Sequence, residues 1–141
     1  MTPAQIALVE DTFRKVAPIA EPAATIFYQR LFALDPALRP LFAHADMAEQ
    51  GRKLMAAIGF VVANLRQPEA LLPAIADLGR RHAGYGVQPG HYTTVGAALL
   101  ATLEEGIGPD FTPAAREAWA TAYTLLAGTM QKAAASPAAA A

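Results

Sequence analysis

The sequence has 141 residues and a formal net charge of −1, and 54% of its residues are hydrophobic against 16% that are charged. A chain of this length and apolar content forms one domain with a single core and is too apolar to stay disordered. The near-neutral charge gives no electrostatic basis for binding nucleic acid or an anionic membrane. Since cysteine is absent from the sequence, disulfides, thiol catalysis, iron–sulfur clusters and thiolate zinc sites are excluded, and any metal must be held by histidine, carboxylate or a prosthetic group.

Composition also predicts the fold class and the location. Alanine is the most frequent residue, whereas valine and isoleucine, which strands prefer, are few, so we expect an all-α protein. The longest stretch without Asp, Glu, Lys or Arg runs from His82 to Leu103 and holds two His, four Gly and a Pro, which is not the composition of a membrane span. The first residues lack the charged and then apolar order of a signal peptide, so a cytoplasmic location is expected.

Proline marks the expected helix starts, because it is accepted at the first helical position, where its N–H is not needed. These starts are Thr2-Pro3, Asp35-Pro36, Gln67-Pro68, Gln88-Pro89 and Thr112-Pro113. Together with apolar periodicity they predict helices over about 3–17, from Pro18 or Pro22 to 34, over 36–42, 47–65, 68–82 and 89–105, and from 112 onwards. A single domain over 1–141 is expected, with a helical core over 3–132 and a frayed, low-complexity tail over 133–141.

Two polar residues stand on otherwise apolar helix stripes. His82 follows three apolar residues at helical spacing and ends its helix just before a glycine-rich segment. A histidine in such a stripe is more often a satisfied core residue than a ligand, but at a helix end it can project into a cavity while its other ring nitrogen bonds a carbonyl four residues back. Gln50 opens the stripe Leu54, Ala57 and Val61, and it is either a boundary residue or a donor to a bound ligand.

Tyr28 is the third candidate, because it lies among aromatic neighbours such as Phe27 and Phe32. It is either a core tyrosine bonded to a backbone carbonyl or a donor that faces a pocket. The other histidines, His44 and His91, lie in polar surroundings and are expected to be solvated. No nucleophile motif of a hydrolase and no phosphate-binding loop between a strand and a helix is found.

Several segments carry a resemblance to a known family. They are Pro36-Ala-Leu-Arg-Pro-Leu-Phe42, Gln50-Gly-Arg-Lys-Leu54, Gly79-Arg-Arg-His82, His91-Tyr92-Thr-Thr-Val95-Gly96 and Ala118-Trp119-Ala-Thr-Ala-Tyr123. Together, over residues 3 to about 132, they resemble a bacterial single-domain globin related to the haem domain of flavohaemoglobins. The resemblance implies a globin fold of six to seven helices enclosing one haem b (iron protoporphyrin IX).

The resemblance also implies roles for individual residues. On the distal side, Tyr28 and Gln50 stabilise the bound gas, Leu54 covers the iron and Phe42 stacks on the haem. On the proximal side, His82 is the iron ligand. The remaining haem-binding positions implied are Leu78, Val87, Tyr92, Val95 and Tyr123, with Lys53 and Arg81 as candidates for binding the propionates.

Two departures from the flavohaemoglobin pattern bear on function. In that family a glutamate on the last helix bonds the proximal histidine, whereas Ala134 stands at that position here and no Asp or Glu follows Glu117. We therefore expect His82 to be a neutral ligand whose ring N–H bonds the carbonyl of Leu78, with the Tyr92 hydroxyl as a secondary partner. The flavin and NAD module of flavohaemoglobins has no counterpart in these residues, so turnover is expected to need electrons from another protein.

The resemblance is compatible with three functions. The first is reversible oxygen binding by five-coordinate ferrous iron, for storage, delivery or scavenging, with NO and CO as further ligands. The second is nitric oxide dioxygenase activity that turns over with a separate reductase, and the third is a haem gas sensor or redox protein. His44 becomes a sixth iron ligand only if its connector folds inward against the entropy lost on ordering it.

Overall fold

A computed structural model describes residues 1–135, and all regular structure in this part of the chain is helical. The α-helices are α1 (Pro3–Val16), α2 (Ala20–Leu34), α3 (Met47–Ala63), α4 (Pro68–Gly84), α5 (Pro89–Ile107) and α6 (Pro113–Ala135). Three short 3₁₀ helices connect them over Ala17–Ile19, Pro36–Phe42 and Gly108–Asp110. The prediction of an all-α fold is confirmed.

Local sequence signals explain where the helices begin. Proline opens α1, α4, α5, α6 and the 3₁₀ helix Pro36–Phe42, as the sequence predicts. Thr2 caps α1 by accepting the N–H of Gln5 at 3.1 Å, and the Gln5 side chain accepts the N–H of Thr2 at 3.0 Å in return. Asp46 caps α3, because one carboxylate oxygen accepts two N–H groups of the first turn.

Several helix bounds differ from the expectation by one or two residues, since α1 ends at Val16, α2 begins at Ala20, α3 ends at Ala63 and α4 ends at Gly84. α5 continues to Ile107 and stops at Gly108, whose φ of 72° is open to glycine and rarely to other residues. α6 continues through Ala135, so residues 133–135, expected to be frayed, are helical. Alanine has the highest helix propensity, which explains why low complexity does not end the helix here. The rest of the expected tail, 136–141, lies outside the described residues.

The helices pack in two sets. α6 packs along α4 and α1, whereas α2 packs on α5 and α3. Glycine permits two of these close approaches: Gly79 of α4 lies directly on the backbone of Met130, and a Cβ at Gly51 of α3 would come within 2.9 Å of the Ala24 Cβ on α2. Within residues 1–135, α3 and α4 are held by different neighbours and are not a packed pair. The helix that carries Gln50 and the helix that carries His82 therefore do not pack closely against each other.

Buried side chains form two clusters. The first, here called the core cluster, joins α1, α2, α3, α5 and α6 and contains Val9, Val16, Ala23, Val62, Leu103, Phe111, Ala115, Ala118 and Trp119. The second, here called the aromatic cluster, contains Phe27, Tyr28, Leu31, Leu38 and Ala98, with Phe32, Phe42, Leu54, Val95 and Leu99 packed against them. No helix among the described residues is long and apolar enough to cross a membrane.

Candidate functional site

His82 lies in the last turn of α4 and is half-buried. Its Nδ1 lies 2.8 Å from the backbone carbonyl oxygen of Leu78. A carbonyl can only accept, so Nδ1 carries the proton and Nε2 keeps its lone pair. The bond to Leu78 is the one that the sequence predicts, and it fixes both the tautomer and the direction of the ring. One imidazole nitrogen is thus left able to bind a metal.

The chain turns sharply after His82. The N–H groups of Tyr85 and Val87 donate to the His82 carbonyl at 3.0 and 3.1 Å, and Gly86 supplies the positive φ of 89° that the turn needs. The Tyr85 ring is 69% exposed and its centroid lies 6.2 Å from that of the His82 ring. Val87 is half-buried in this turn. The turn therefore holds the helix end that presents the imidazole.

Tyr28 is buried on α2 and only 9% exposed. Its ring packs edge-on against Phe27 at 5.1 Å and Phe42 at 5.5 Å between centroids. Burial raises the pKa of its hydroxyl to about 12. The hydroxyl makes no hydrogen bond to residues 1–135, so the structure does not give it the backbone carbonyl partner of an ordinary core tyrosine. No described residue uses the hydroxyl as a donor, and its oxygen is not among the fully buried side-chain atoms that lack a partner.

Four of the predicted distal and haem-contact residues come together. Tyr28 belongs to the aromatic cluster, and Phe42, Leu54 and Val95 pack against that cluster. They come from four elements, which are α2, the 3₁₀ helix Pro36–Phe42, α3 and α5. The cluster therefore supplies an apolar wall with one unpartnered hydroxyl.

The packed side of α3 differs from the one that the Gln50 stripe predicts. Its stripe, with Leu54, Ala57 and Val61, was expected to face inward, but all four residues are only half-buried. The core side of α3 is instead Gly51, Met55, Ile58 and Val62, of which Gly51 and Val62 are buried. The two stripes are about 100° apart on the helix surface. The Gln50 stripe thus flanks the packed face of α3, and its Leu54 packs against the aromatic cluster.

Tyr92 and Tyr123 meet between α5 and α6. The Tyr123 hydroxyl donates to the backbone carbonyl of Tyr92 at 2.6 Å, and Gly96 allows the Tyr123 ring to lie against α5. Burial raises the pKa of both hydroxyls. The Tyr92 hydroxyl makes no hydrogen bond to His82 among the described residues, so its secondary role stays a prediction.

The two cations predicted to bind propionates lie on the surface. Lys53 pairs with Glu49 at 3.7 Å and Arg81 pairs with Asp77 at 3.3 Å, each one turn earlier on the same helix. The structure does not bring them into contact with the aromatic cluster. Arg80, which the sequence analysis did not single out, is half-buried and its Nε has no hydrogen-bond partner within residues 1–135.

The remaining histidines have other surroundings. His44 is exposed in the turn before α3. His91 is half-buried, and its Nδ1 accepts the Gln88 N–H at 3.0 Å, so it caps α5 and is not simply solvated. Within residues 1–135 no group of three or more His, Asp or Glu side chains could hold a metal ion. A site with one free imidazole nitrogen would instead suit a prosthetic group that takes a single protein ligand.

Sequence analysis missed one contact of the aromatic cluster. The guanidinium carbon of Arg39 lies 4.7 Å from the centroid of the Phe32 ring. The two residues belong to different elements, so no helical spacing links them, and only the motif that contains Arg39 pointed to this region.

Comparison with known proteins agrees with this architecture. The globin family model matches residues 25–130. A flavohemoprotein of Rhizobium meliloti (strain 1021) is 39% identical over 103 residues, which are 72% of this chain and 26% of that protein. A flavohemoprotein of Bordetella parapertussis is 33% identical over 129 residues, covering 90% of this chain and 32% of that protein. A neuroglobin of Danio rerio is 29% identical over 138 residues, covering 89% of this chain and 87% of that protein.

This chain therefore spans between a quarter and a third of the flavohemoproteins that it matches. The family match and the flavohemoprotein similarity extend over most of its own length. The chain belongs to the globin family.

Proposed function

We propose that this chain is a single globin domain over 1–141 that binds haem b through Nε2 of His82 and holds dioxygen reversibly. The observation that carries the proposal is the 2.8 Å contact between His82 Nδ1 and the Leu78 carbonyl oxygen. It leaves the Nε2 lone pair free and the ring already oriented, so little conformational entropy is lost when a metal binds. Haem, when bound, supplies an iron atom with one position open to a diatomic gas.

The residues around the cleft fit the apolar plane of a haem. Phe42, Leu54, Val87 and Val95 offer apolar surface and all four are half-buried. Covering them would remove apolar area from water, at about 25 cal/mol per Å². Tyr92 and Tyr123 extend the proposed wall on the proximal side. Lys53 and Arg81 are proposed to release their own carboxylate partners, Glu49 and Asp77, for the haem propionates; exposed pairs of this kind contribute little.

Tyr28 and Gln50 are the proposed donors to the gas. The Tyr28 ring packs among aromatic rings, and its raised pKa of about 12 keeps the hydroxyl protonated at neutral pH. A donor without a competing partner in a dry pocket interacts more strongly than one in water. Gln50 lies one helical turn before Leu54 and supplies a second, half-buried amide donor.

The proximal side favours gas binding over peroxide chemistry. A carboxylate that accepted the His82 N–H would give the imidazole anionic character and stabilise higher oxidation states of iron. The acceptor here is the neutral carbonyl of Leu78. This difference supports reversible oxygen binding as the first function.

Nitric oxide dioxygenase activity is the second candidate, favoured by the similarity to two flavohemoproteins. It uses the same Tyr28 and Gln50 donors and requires electrons from a reductase. Consumption of NO by the purified protein, measured with and without a flavin reductase and NADH, separates the two functions. Sustained turnover only with the reductase supports the enzyme, whereas a single stoichiometric reaction supports oxygen binding alone.

Absorption spectroscopy tests the proposed function directly. The purified protein should show a Soret band that shifts on reduction with dithionite and again on addition of CO, and a pyridine extract should identify b-type haem. Reversible oxygen binding should appear as recovery of the deoxy spectrum after the gas is removed. A protein without a Soret band even after incubation with haem would overturn the proposal.

A further inference from the structure

Arg39 is an exposed residue of the 3₁₀ helix Pro36–Phe42, and its contacts differ from those of most cations in the chain. It forms no ion pair within residues 1–135. Instead, its guanidinium carbon lies 4.7 Å from the centroid of the Phe32 ring. A cation over the face of an aromatic ring is attracted by the negative charge of that face. Arg39 therefore holds Phe32 from the solvent side.

Phe32 in turn packs against the two rings most closely tied to the site. Its centroid lies 5.5 Å from that of Phe42, with the planes at 68°, and 6.1 Å from that of Tyr28. Phe42 and Tyr28 are also 5.5 Å apart, with the planes at 67°. The three rings form a closed triangle in which each ring contacts the other two.

This triangle joins two elements of the chain. Tyr28 and Phe32 are one turn apart on α2, whereas Arg39 and Phe42 belong to the 3₁₀ helix. Since the Tyr28 hydroxyl has no hydrogen bond to residues 1–135, the tyrosine ring is held by packing alone. A substitution that loosens the packing of the Phe32 ring against Tyr28 therefore changes the direction of the Tyr28 hydroxyl, and no hydrogen bond opposes this change.

We propose that Arg39 is a positioning residue for gas binding. Its contact with Phe32 fixes the aromatic triangle and thereby aims the Tyr28 hydroxyl at the ligand. This inference rests on the proposed function of the site, but it concerns a residue outside the pocket. Arg39 touches neither the gas nor the haem in this account, and its charge acts only through the Phe32 ring.

Two variants of Arg39 and one control variant separate this role from a general structural one. Arg39→Met keeps an unbranched stem and removes the charge, Arg39→Lys keeps a cation over the ring, and Arg116→Met removes a cation that pairs with Glu104 far from the triangle. The C–O stretching band of the ferrous CO complex reports hydrogen-bond donation to the ligand. Arg39→Met should add a band at the frequency of the Tyr28→Phe variant, and Arg39→Lys and Arg116→Met should not.

The rate of dioxygen release should distinguish the same variants. We expect Arg39→Met to release dioxygen about two- to fivefold faster, the factor that corresponds to the loss of an exposed cation–π contact. Arg39→Lys should restore slow release. If Arg39→Met shows the wild-type CO bands and release rate, the proposal is wrong and the proposed function stands.

A measurement on the haem-free protein tests the role of Arg39 even if the proposed function is wrong. In the haem-free protein, the rate at which the Tyr28 ring flips can be followed by NMR, with its signals assigned by their loss in Tyr28→Phe. Arg39→Met should speed the flip, and Arg39→Lys should leave it slow. Equal flip rates in all variants that share the wild-type circular dichroism would contradict the proposal even if the protein bound no haem.

Discussion

The two buried clusters differ in how their polar groups are satisfied. In the core cluster, the Trp119 Nε1–H donates to the Thr12 hydroxyl at 2.8 Å, and that hydroxyl donates to the Leu8 carbonyl at 2.6 Å. In the aromatic cluster, the Tyr28 hydroxyl has no partner among residues 1–135. Buried polar groups are normally paired, as Trp119 and Thr12 are in the core cluster. The Tyr28 hydroxyl differs because no described residue pairs with it.

The surface charges follow a similar division. Lys15 on α1 pairs with Asp110 near the start of α6 at 2.9 Å, which joins distant parts of the chain. On α3, by contrast, Lys53 pairs with Glu49 of its own helix, at 3.7 Å. Exposed pairs contribute about 0–1 kcal/mol, so neither decides stability. The Lys53–Glu49 pair, however, lies within one helix, so Lys53 can exchange Glu49 for another anion without disturbing the packing of helices.

Removal of the His82 imidazole should have the largest effect. His82→Ala should weaken haem binding by roughly a hundredfold or more, since even changes to residues that support a metal ligand weaken affinity by about 10–100-fold. Haem titration followed by the Soret band measures this, and added imidazole should restore the band. His91→Ala is the matched control, because His91 caps α5. Wild-type haem affinity in His82→Ala would show that another residue is the ligand.

Tyr28→Phe tests the Tyr28 hydroxyl, the hydrogen-bond donor without a partner in the aromatic cluster. A hydrogen bond to a charged acceptor contributes about 1.5–3 kcal/mol, so dioxygen should be released roughly ten- to a hundredfold faster. The free energy of unfolding of the haem-free protein should hardly fall, because the hydroxyl has no partner to lose. Stopped-flow release measures the first effect. A larger effect from Gln50→Leu would reverse the proposed order of the donors.

Thr12→Val tests the hydrogen bonds that join Trp119, Thr12 and Leu8 in the core cluster. The variant leaves the Trp119 Nε1–H buried without an acceptor, which should lower the free energy of unfolding by about 1–3 kcal/mol. Urea unfolding followed by circular dichroism measures the loss. Dioxygen release should stay at the wild-type rate. A change in release as large as that of Tyr28→Phe would mean that the two clusters are coupled.

The prediction of the fold was most successful where the signal is local. Proline at the first helical position and apolar periodicity gave the helix starts, since both depend on neighbours within one turn. The prediction of which side of α3 is packed was wrong. Periodicity identifies an apolar stripe, but it cannot say whether another helix or solvent lies against that stripe. Likewise, Arg39 and Phe32 meet through tertiary structure alone. The contact of His82 with the Leu78 carbonyl was predicted because it lies within one helical turn, whereas the role of His82 as a ligand stays a prediction.

High pH should weaken the fold through Tyr28. Burial raises its pKa from 10.0 to about 12, so the folded state holds the proton more tightly than the unfolded state does. Its contribution to stability is complete below pH 10 and is lost as the pH rises towards 12. Urea midpoints between these pH values should therefore fall more steeply for the wild type than for Tyr28→Phe. Tyr85→Phe, at an exposed position, should match the wild type.

Ala134→Glu should have the smallest effect, on the electronic character of His82. Ala134 is half-buried on α6, the helix whose Met130 backbone lies against Gly79 of the His82 helix. A carboxylate that replaced the Leu78 carbonyl as acceptor would raise the iron–histidine stretching frequency and lower the reduction potential. Resonance Raman of the deoxy ferrous protein tests this, with Ala134→Gln as the neutral control. A wild-type frequency already in the peroxidase range would contradict a neutral ligand.

The hydrogen bond of Trp119 has an optical consequence. Trp119 is the single tryptophan of the sequence and is only 4% exposed. All indole fluorescence therefore arises from one dry environment in the core cluster, and its emission should lie at short wavelength until the protein unfolds. Haem absorbs in the range of indole emission, so a bound haem should quench the intensity by energy transfer and leave the wavelength unchanged. The protein thus carries one built-in probe that distinguishes loss of haem from loss of fold.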